Sequence, residues 1–198
     1  MDKRDLLKLL EEIEFDKRKN RFFEKVSLEE FEKGVKNNTN KYSDEKIKQM
    51  YEELPYPCRS TIHAGGYDFF APYDFTLKPG ETIVVPTGFR VHMNSDEIFN
   101  LFTRSSAGFK YNVRLSNQIG IVDADYYGNS KNEGHMFVSF TNHGKKDWIN
   151  NSIGLRKEEK SKMVQGIFMP YYLTRDDECL NMIRNGGFGS TDEGKKYE

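Results

Sequence analysis

The chain has 198 residues, and its 30 basic and 31 acidic side chains leave a formal charge of −1, which excludes the broad basic face that a nucleic-acid partner requires. That length allows one domain with a substantial core plus an appendage, and no apolar run approaches the ~20 residues of a membrane helix. The two cysteines, Cys58 and Cys179, are far apart with no CxxC between them, and the N-terminus alternates leucines with charges, so a soluble cytoplasmic protein with reduced thiols, no signal peptide and no membrane partner is expected.

Residues 1–55 read as a helical extension. Leu6, Leu7, Leu9, Leu10 and Ile13 form one broad stripe among charged neighbours, the mark of an amphipathic helix packed on its own domain, with a partner-binding arm as the alternative. Phe22 to Val26 has the composition of a short strand. Ser27-Leu28-Glu29-Glu30 has the capping-box pattern, so a second helix starts at Leu28. Ser43 caps a third, carrying Ile47, Met50 and Tyr51 at helical spacing, and Pro55 and Pro57 end it.

From Thr61 the texture changes. Aromatic and β-branched runs are punctuated about every ten residues by turn signals such as Lys78-Pro79-Gly80, Pro86-Thr87-Gly88 and Asn142-His143-Gly144, which points to an all-β sandwich or barrel. The clearest strands are Thr82 to Val85, Met136 to Phe140 and Met163 to Phe168. Within the stretch from Arg104 to Gly128, the alternating run Tyr111 to Leu115 reads as a strand, Asn117-Gln118 as a turn and the residues after it as a second strand, with polar chemistry at both ends. Residues 129–134 read as an exposed hairpin loop, and the charge run from Arg156 to Lys162 as a solvated edge. The stretch from Arg184 to Thr191 is glycine-rich, with an arginine, a phenylalanine and two hydroxyls. Glycine lets backbone N–H groups approach phosphate, while arginine and hydroxyls bind oxyanions, so residues 184–198 read as a flexible flap over a ligand.

These side chains suit a nucleoside triphosphate. Arg104, Ser105 and Ser106 supply one oxyanion-binding cluster, and Arg184 with Ser190 and Thr191 a second. A reaction with water needs a carboxylate to orient and deprotonate it, for which Asp68, Asp123 and Asp125 are candidates. Asn117 and Tyr126 could serve a nucleobase as amide edge and aromatic face.

In order along the chain, these pieces resemble the five motifs of the trimeric deoxyuridine triphosphatase (dUTPase) family. The counterparts are Gly65 to Phe69 (GGYDF), Arg104 to Gly108 (RSSAG), Asn117 to Gly128 (NQIGIVDADYYG), the looser Lys160 to Gln165 (KSKMVQ), and Arg184 to Thr191 (RNGGFGST). The last has one residue fewer between its arginine and the glycine pair, Asp192 stands at the closing glycine, and Tyr127 stands where arginine is frequent. The first 55 residues have no counterpart in the minimal family core.

The resemblance implies a homotrimer of β jelly-roll (β-clip) subunits with active sites shared between subunits, residues 56–183 forming the β domain. It implies hydrolysis of dUTP to dUMP and pyrophosphate with Mg²⁺. Asp123 would activate the attacking water, and Tyr126 would pack on the deoxyribose and exclude a 2′-hydroxyl. The hairpin carrying Asn117, Gly120 and Val122 would read uracil. Arg104, Ser105, Ser106 and Gln165 would hold phosphates, and Asp68 would meet the metal through water. Phe188, with Gly189 and Ser190, would close over the nucleotide, and Arg184 would reach the γ-phosphate. The rival readings are a non-catalytic regulatory protein on the same scaffold and, on the same fold, a dCTP deaminase.

Overall fold

The computed structural model describes residues 3–178. Among them are four α-helices and eleven strands, every paired strand being antiparallel. The helices are α1 (Lys3–Lys19), α2 (Leu28–Lys36), α3 (Asp44–Glu53) and α4 (Ser105–Tyr111). The strands are β1 (Phe22–Lys25), β2 (Tyr67–Phe70), β3 (Phe75–Leu77), β4 (Thr82–Pro86), β5 (Phe89–His92), β6 (Glu97–Thr103), β7 (Val113–Leu115), β8 (Gly120–Asp123), β9 (Phe137–Asn142), β10 (Trp148–Asn150) and β11 (Lys162–Pro170). One sheet has the order β2-β11-β6-β8 and another β4-β9-β7, with β1 on β5 and β10 on β3 as two-stranded ribbons.

The N-terminal segment is bound into this body by three elements. Strand β1 pairs with β5 from Phe22 opposite His92 to Lys25 opposite Phe89. Helices α2 and α3 bring Phe31, Val35 and Ile47, none of which is solvent-exposed, into the same core as Phe89, Val91 and Leu101. Each such side chain contributes roughly 1.5–3 kcal/mol by leaving water. The predicted starts of both helices hold. The Ser27 hydroxyl accepts from the Glu30 N–H at 3.1 Å and the Ser43 hydroxyl from the Lys46 N–H at 3.3 Å, and Leu54, ahead of Pro55, is already extended.

Helix α1 departs from expectation. Its C-terminal end is fastened where Lys17 meets Asp96 at 2.7 Å and Arg21 meets Glu97. Its apolar stripe is nevertheless exposed, Leu6, Leu7, Leu9, Leu10 and Ile13 by 43–52% each. An amphipathic pattern specifies an apolar face, not the surface that covers it.

Three other readings are corrected. Ahead of the predicted strand, Ser105 to Tyr111 forms helix α4, which buries Ala107 and closes on Asn112 in the left-handed conformation, so the strand of the alternating run is the shorter β7, Val113–Leu115. The strands after it, β7 and β8, are not each other's partners: β7 pairs with β9 and β8 with β6, so the Ser116–Ile119 turn passes between sheets. Residues 129–134 form a turn that is exposed only at its tip, Ser130 and Lys131. Asn129 is buried and Glu133 accepts from the Ser27 backbone N–H at 2.9 Å. The charge run from Arg156 to Lys162 is solvated as expected over residues 156–159, but Lys160 is buried with Nζ donating to the Ser152 carbonyl at 2.7 Å, and Lys162 opens β11.

Candidate active site

Strand β2 carries Asp68 into the sheet, where it lies opposite Gln165 of β11. Its backbone N–H donates to the Cys58 carbonyl at 2.9 Å, and it accepts from the Cys58 N–H at 3.2 Å. This bridge brings Ser60 to the Asp68 carboxylate, where the hydroxyl donates to Oδ2 at 2.6 Å. On the other side β11 pairs with β6, with Val164 opposite Thr103, and Arg104 leaves the end of β6. Its Nε donates to Asp68 Oδ1 at 2.9 Å and its Nη1 to the Lys162 carbonyl at 3.2 Å. Lys162 Nζ lies 3.4 Å from Asp68 Oδ2.

The cluster thus holds two cations against one carboxylate that is only 6% exposed. It retains a net positive charge with hydroxyls alongside, since Ser105 and Ser106 are exposed at the start of α4. Such a set suits a phosphate group. Gln165 lies opposite Asp68 on β11, and a Cβ on Gly66 would come within 2.9 Å of the Gln165 Oε1, so only glycine fits there without displacing that amide.

A second group lines β8 and the turn after it. Asn117 is exposed in the Ser116–Ile119 turn, where Gln118 has φ +65°. Gly120 lies against Leu101, and Val122 points into the core. Asp123, half-buried, ends β8 opposite Ile98. Tyr126, buried in the 3-10 turn Ala124–Tyr126, donates its hydroxyl to the His135 carbonyl at 3.0 Å.

The structure therefore gathers Asp68, Arg104 and Gln165 into one place and Asn117, Gly120, Val122, Asp123 and Tyr126 into another. Arg184, Phe188, Gly189 and Ser190 lie outside the described residues. Two members of the first group went unread in the sequence. Ser60 carries no local signal, and Lys162 was masked by the surrounding charge run. Among the described residues no group of three or more acidic, histidine or cysteine side chains could hold a metal ion, and both oxygens of Asp68 are engaged. This donor set fits a cation that arrives on the oxygens of a bound polyphosphate.

An antiparallel β body with a cationic cluster and a carboxylate at a strand end has the side chains to hold a phosphate ester. The dUTPase family model matches residues 52–154. The deoxyuridine 5′-triphosphate nucleotidohydrolase of Lactococcus lactis is 39% identical over 136 residues, 68% of this chain and 86% of that one. Its counterpart in Chromobacterium violaceum is 32% identical over 145 residues, 70% of this chain and 88% of that one. The crystal structure of the Streptococcus mutans dUTPase superposes with a TM-score of 0.53 at 32% identity, covering 77% of this chain and 97% of that one. The chain belongs to the dUTPase family, and its mostly-β fold is the dUTPase fold.

Proposed function

We propose that this protein is a dUTP diphosphatase, hydrolysing dUTP to dUMP and pyrophosphate in the cytoplasm. It thereby keeps uracil out of DNA and supplies dUMP for thymidylate synthesis. The subunit is a jelly roll of residues 56–183, extended by residues 1–55 and closed by a flap of residues 184–198. Asp123 takes a proton from a water whose oxygen bonds to the α-phosphorus while the bond from that phosphorus to the α–β bridging oxygen breaks, releasing pyrophosphate. Arg104, Ser105, Ser106 and Gln165 hold the phosphates. Asn117, with the backbone of Gly120 and Val122, reads uracil, and Tyr126 packs on the sugar. Mg²⁺ brought on the triphosphate would supply charge neutralisation there, and Asp68 is the residue that would meet it through water. From the flap, Phe188, Gly189 and Ser190 cover the nucleotide and Arg184 reaches the γ-phosphate.

The observation that carries this reading is the separation of its two halves. Asp123 lies opposite Ile98 near the start of β6, whereas Arg104 follows six residues further on, past the other end. At ~3.3 Å per residue that is about 20 Å, too far for both to act on adjacent phosphates from one chain. A homotrimer in which one subunit's Asp123 faces the next subunit's Arg104 removes the discrepancy. The test is pyrophosphate release from each deoxynucleoside triphosphate and UTP, with and without Mg²⁺. dUTP alone should be turned over. Asp123→Asn should bind dUTP without hydrolysing it; unchanged hydrolysis would refute the role.

A further inference from the structure

Helix α2 has the sequence of a capping box but uses only half of it. The Ser27 hydroxyl caps the Glu30 N–H, yet the Ser27 backbone N–H donates to Glu133 at 2.9 Å and the Ser27 hydroxyl donates to the same carboxylate. The Glu30 carboxylate, freed from the return bond, instead lies 3.3 Å from His135 Nδ1. Because His135 Nε2 accepts from the Gly88 N–H at 3.0 Å, the ring proton sits on Nδ1 and points at Glu30. One turn further along α2, Gly34 passes so close that a Cβ there would come within 2.9 Å of His135 Cε1. Just ahead of the helix, Glu24 of β1 accepts from the Tyr127 hydroxyl at 2.5 Å. The N-terminal extension thus grips the segment 127–135 at both ends.

That segment in turn encloses Tyr126. Asn132 Nδ2 donates to the Tyr126 hydroxyl at 2.8 Å, and this hydroxyl donates to the His135 carbonyl at 3.0 Å. Asn129 Nδ2 donates to the Tyr126 carbonyl at 2.9 Å. Gly134, at φ +87°, passes so near that a Cβ would meet the Tyr126 carbonyl at 2.8 Å. Each donor and acceptor on the tyrosine hydroxyl is accounted for, so the ring is held at a fixed height rather than simply packed.

We infer that the N-terminal extension sets sugar selectivity. Through Glu30 and Ser27 it fixes the 129–135 loop, and through Asn132 and His135 that loop fixes the Tyr126 ring against the deoxyribose. Asn132 and Glu30 are positioning residues for the discrimination between deoxyribose and ribose; neither touches substrate. The inference rests on the reading above that Tyr126 faces the sugar. A ring that can retreat by a few tenths of an ångström makes room for a hydroxyl, so loosening its anchor relaxes the exclusion while leaving Asp123 and the phosphate cluster in place.

The experiment compares kcat/KM for dUTP and UTP in the full-length protein and in Asn132→Ala, Tyr126→Phe, their double variant, Tyr126→Ala, and Ser27→Ala/Glu30→Ala, the last removing both the Ser27 hydroxyl and the acceptor of the His135 Nδ1 proton. Loss of one neutral hydrogen bond is a factor of about 3–10. Asn132→Ala should therefore lower the dUTP/UTP ratio by about that factor, with kcat for dUTP changed less than about two-fold. Tyr126→Phe keeps the ring and loses both bonds, so it should lower the ratio at least as far. Adding Asn132→Ala to it should cost less than Asn132→Ala does alone, because the Asn132–Tyr126 bond is already lost and only the Asn132 bonds to Asn129, Gly134 and the His135 carbonyl are left to remove. The Ser27/Glu30 pair should shift the ratio in the same direction.

A ratio unchanged in Asn132→Ala, or additive losses in the double variant, would overturn the inference. Should Asn132→Ala fail to fold, the comparison of Tyr126→Phe with Ser27→Ala/Glu30→Ala decides: a ratio unmoved in the latter overturns it. A wild-type protein that does not hydrolyse dUTP would instead remove the functional reading, and a ratio insensitive to Tyr126→Ala would remove only the tyrosine's assignment.

Discussion

Arg104 donates its Nε to the Asp68 carboxylate at 2.9 Å, and the pair joins two stretches of chain that lie 36 residues apart. The carboxylate is buried while the guanidinium is about a third exposed, so the acid aims the arginine rather than the reverse. Asp68→Ala leaves Arg104 and Lys162 without their shared partner. Hydrogen bonds to charged groups contribute about 1.5–3 kcal/mol, so kcat/KM for dUTP should fall by roughly 10- to 150-fold. Steady-state pyrophosphate release measures it, and an unchanged value would mean that the cluster does not hold phosphate.

The distance between Arg104 and Asp123 along β6 makes a separate prediction. Arg104→Ala and Asp123→Asn proteins, each inactive alone, should regain turnover when unfolded together and refolded as a mixture. Each hybrid assembly then contains sites with one intact half from each parent. Failure to recover activity, with both parents running as trimers in light scattering, would place the complete site within a single chain.

His135 is fully buried between Gly88, Glu30 and Phe137. Burial pushes its pKa below the ordinary 6.5, against the pull of Glu30 and Glu133. The folded protein therefore keeps the ring neutral where the unfolded chain protonates it. The unfolded state binds the extra proton as pH drops below about 6.5, and stability falls with it. Urea midpoints taken between about pH 7 and about pH 5.5 should decline in the wild type, and His135→Gln should show a shallower slope.

Gly88 joins the N-terminal segment to the strands. Its φ is +79°, and a Cβ would stand 2.5 Å from Leu54 Cδ2 and 3.2 Å from Phe31 Cε2. Its carbonyl also accepts from the Val26 N–H at 3.2 Å. Gly88→Ala combines left-handed backbone strain with a core clash and should cost about 2–3 kcal/mol in urea unfolding.

What was legible in the sequence was local. Ser27, Ser43 and Pro55 mark helix ends through contacts within four residues, and the chemistry of RSSAG and NQIGIVDADYYG is carried by residue type and spacing. What was not legible depended on remote partners. Glu30 reads as half of a capping box, but its carboxylate turns to His135, 105 residues away. The helix at Ser105–Tyr111 has no side-chain N-cap and holds Gly108 in its middle, so propensity argues against it. Burial of Ala107 and the left-handed Asn112 make it instead. Lys162 joins Asp68 only because β11 and β2 pair in that register.

The same distinction separates the two parts of the N-terminal extension. Phe31 in α2 is fully buried against Leu54, Tyr51 and the Gly88 turn, and Phe31→Ala should cost about 3–5 kcal/mol. Helix α1 presents Leu6, Leu7, Leu9, Leu10 and Ile13 to solvent and touches the body chiefly at Lys17 and beyond. Removing residues 1–16 keeps that anchor and, among the described residues, takes away no buried apolar side chain. The thermal midpoint of the remaining protein should therefore stay where it is, within about 0.5 kcal/mol of stability. A large drop would show that the exposed stripe of α1 is covered in the assembled protein and contributes to holding it together.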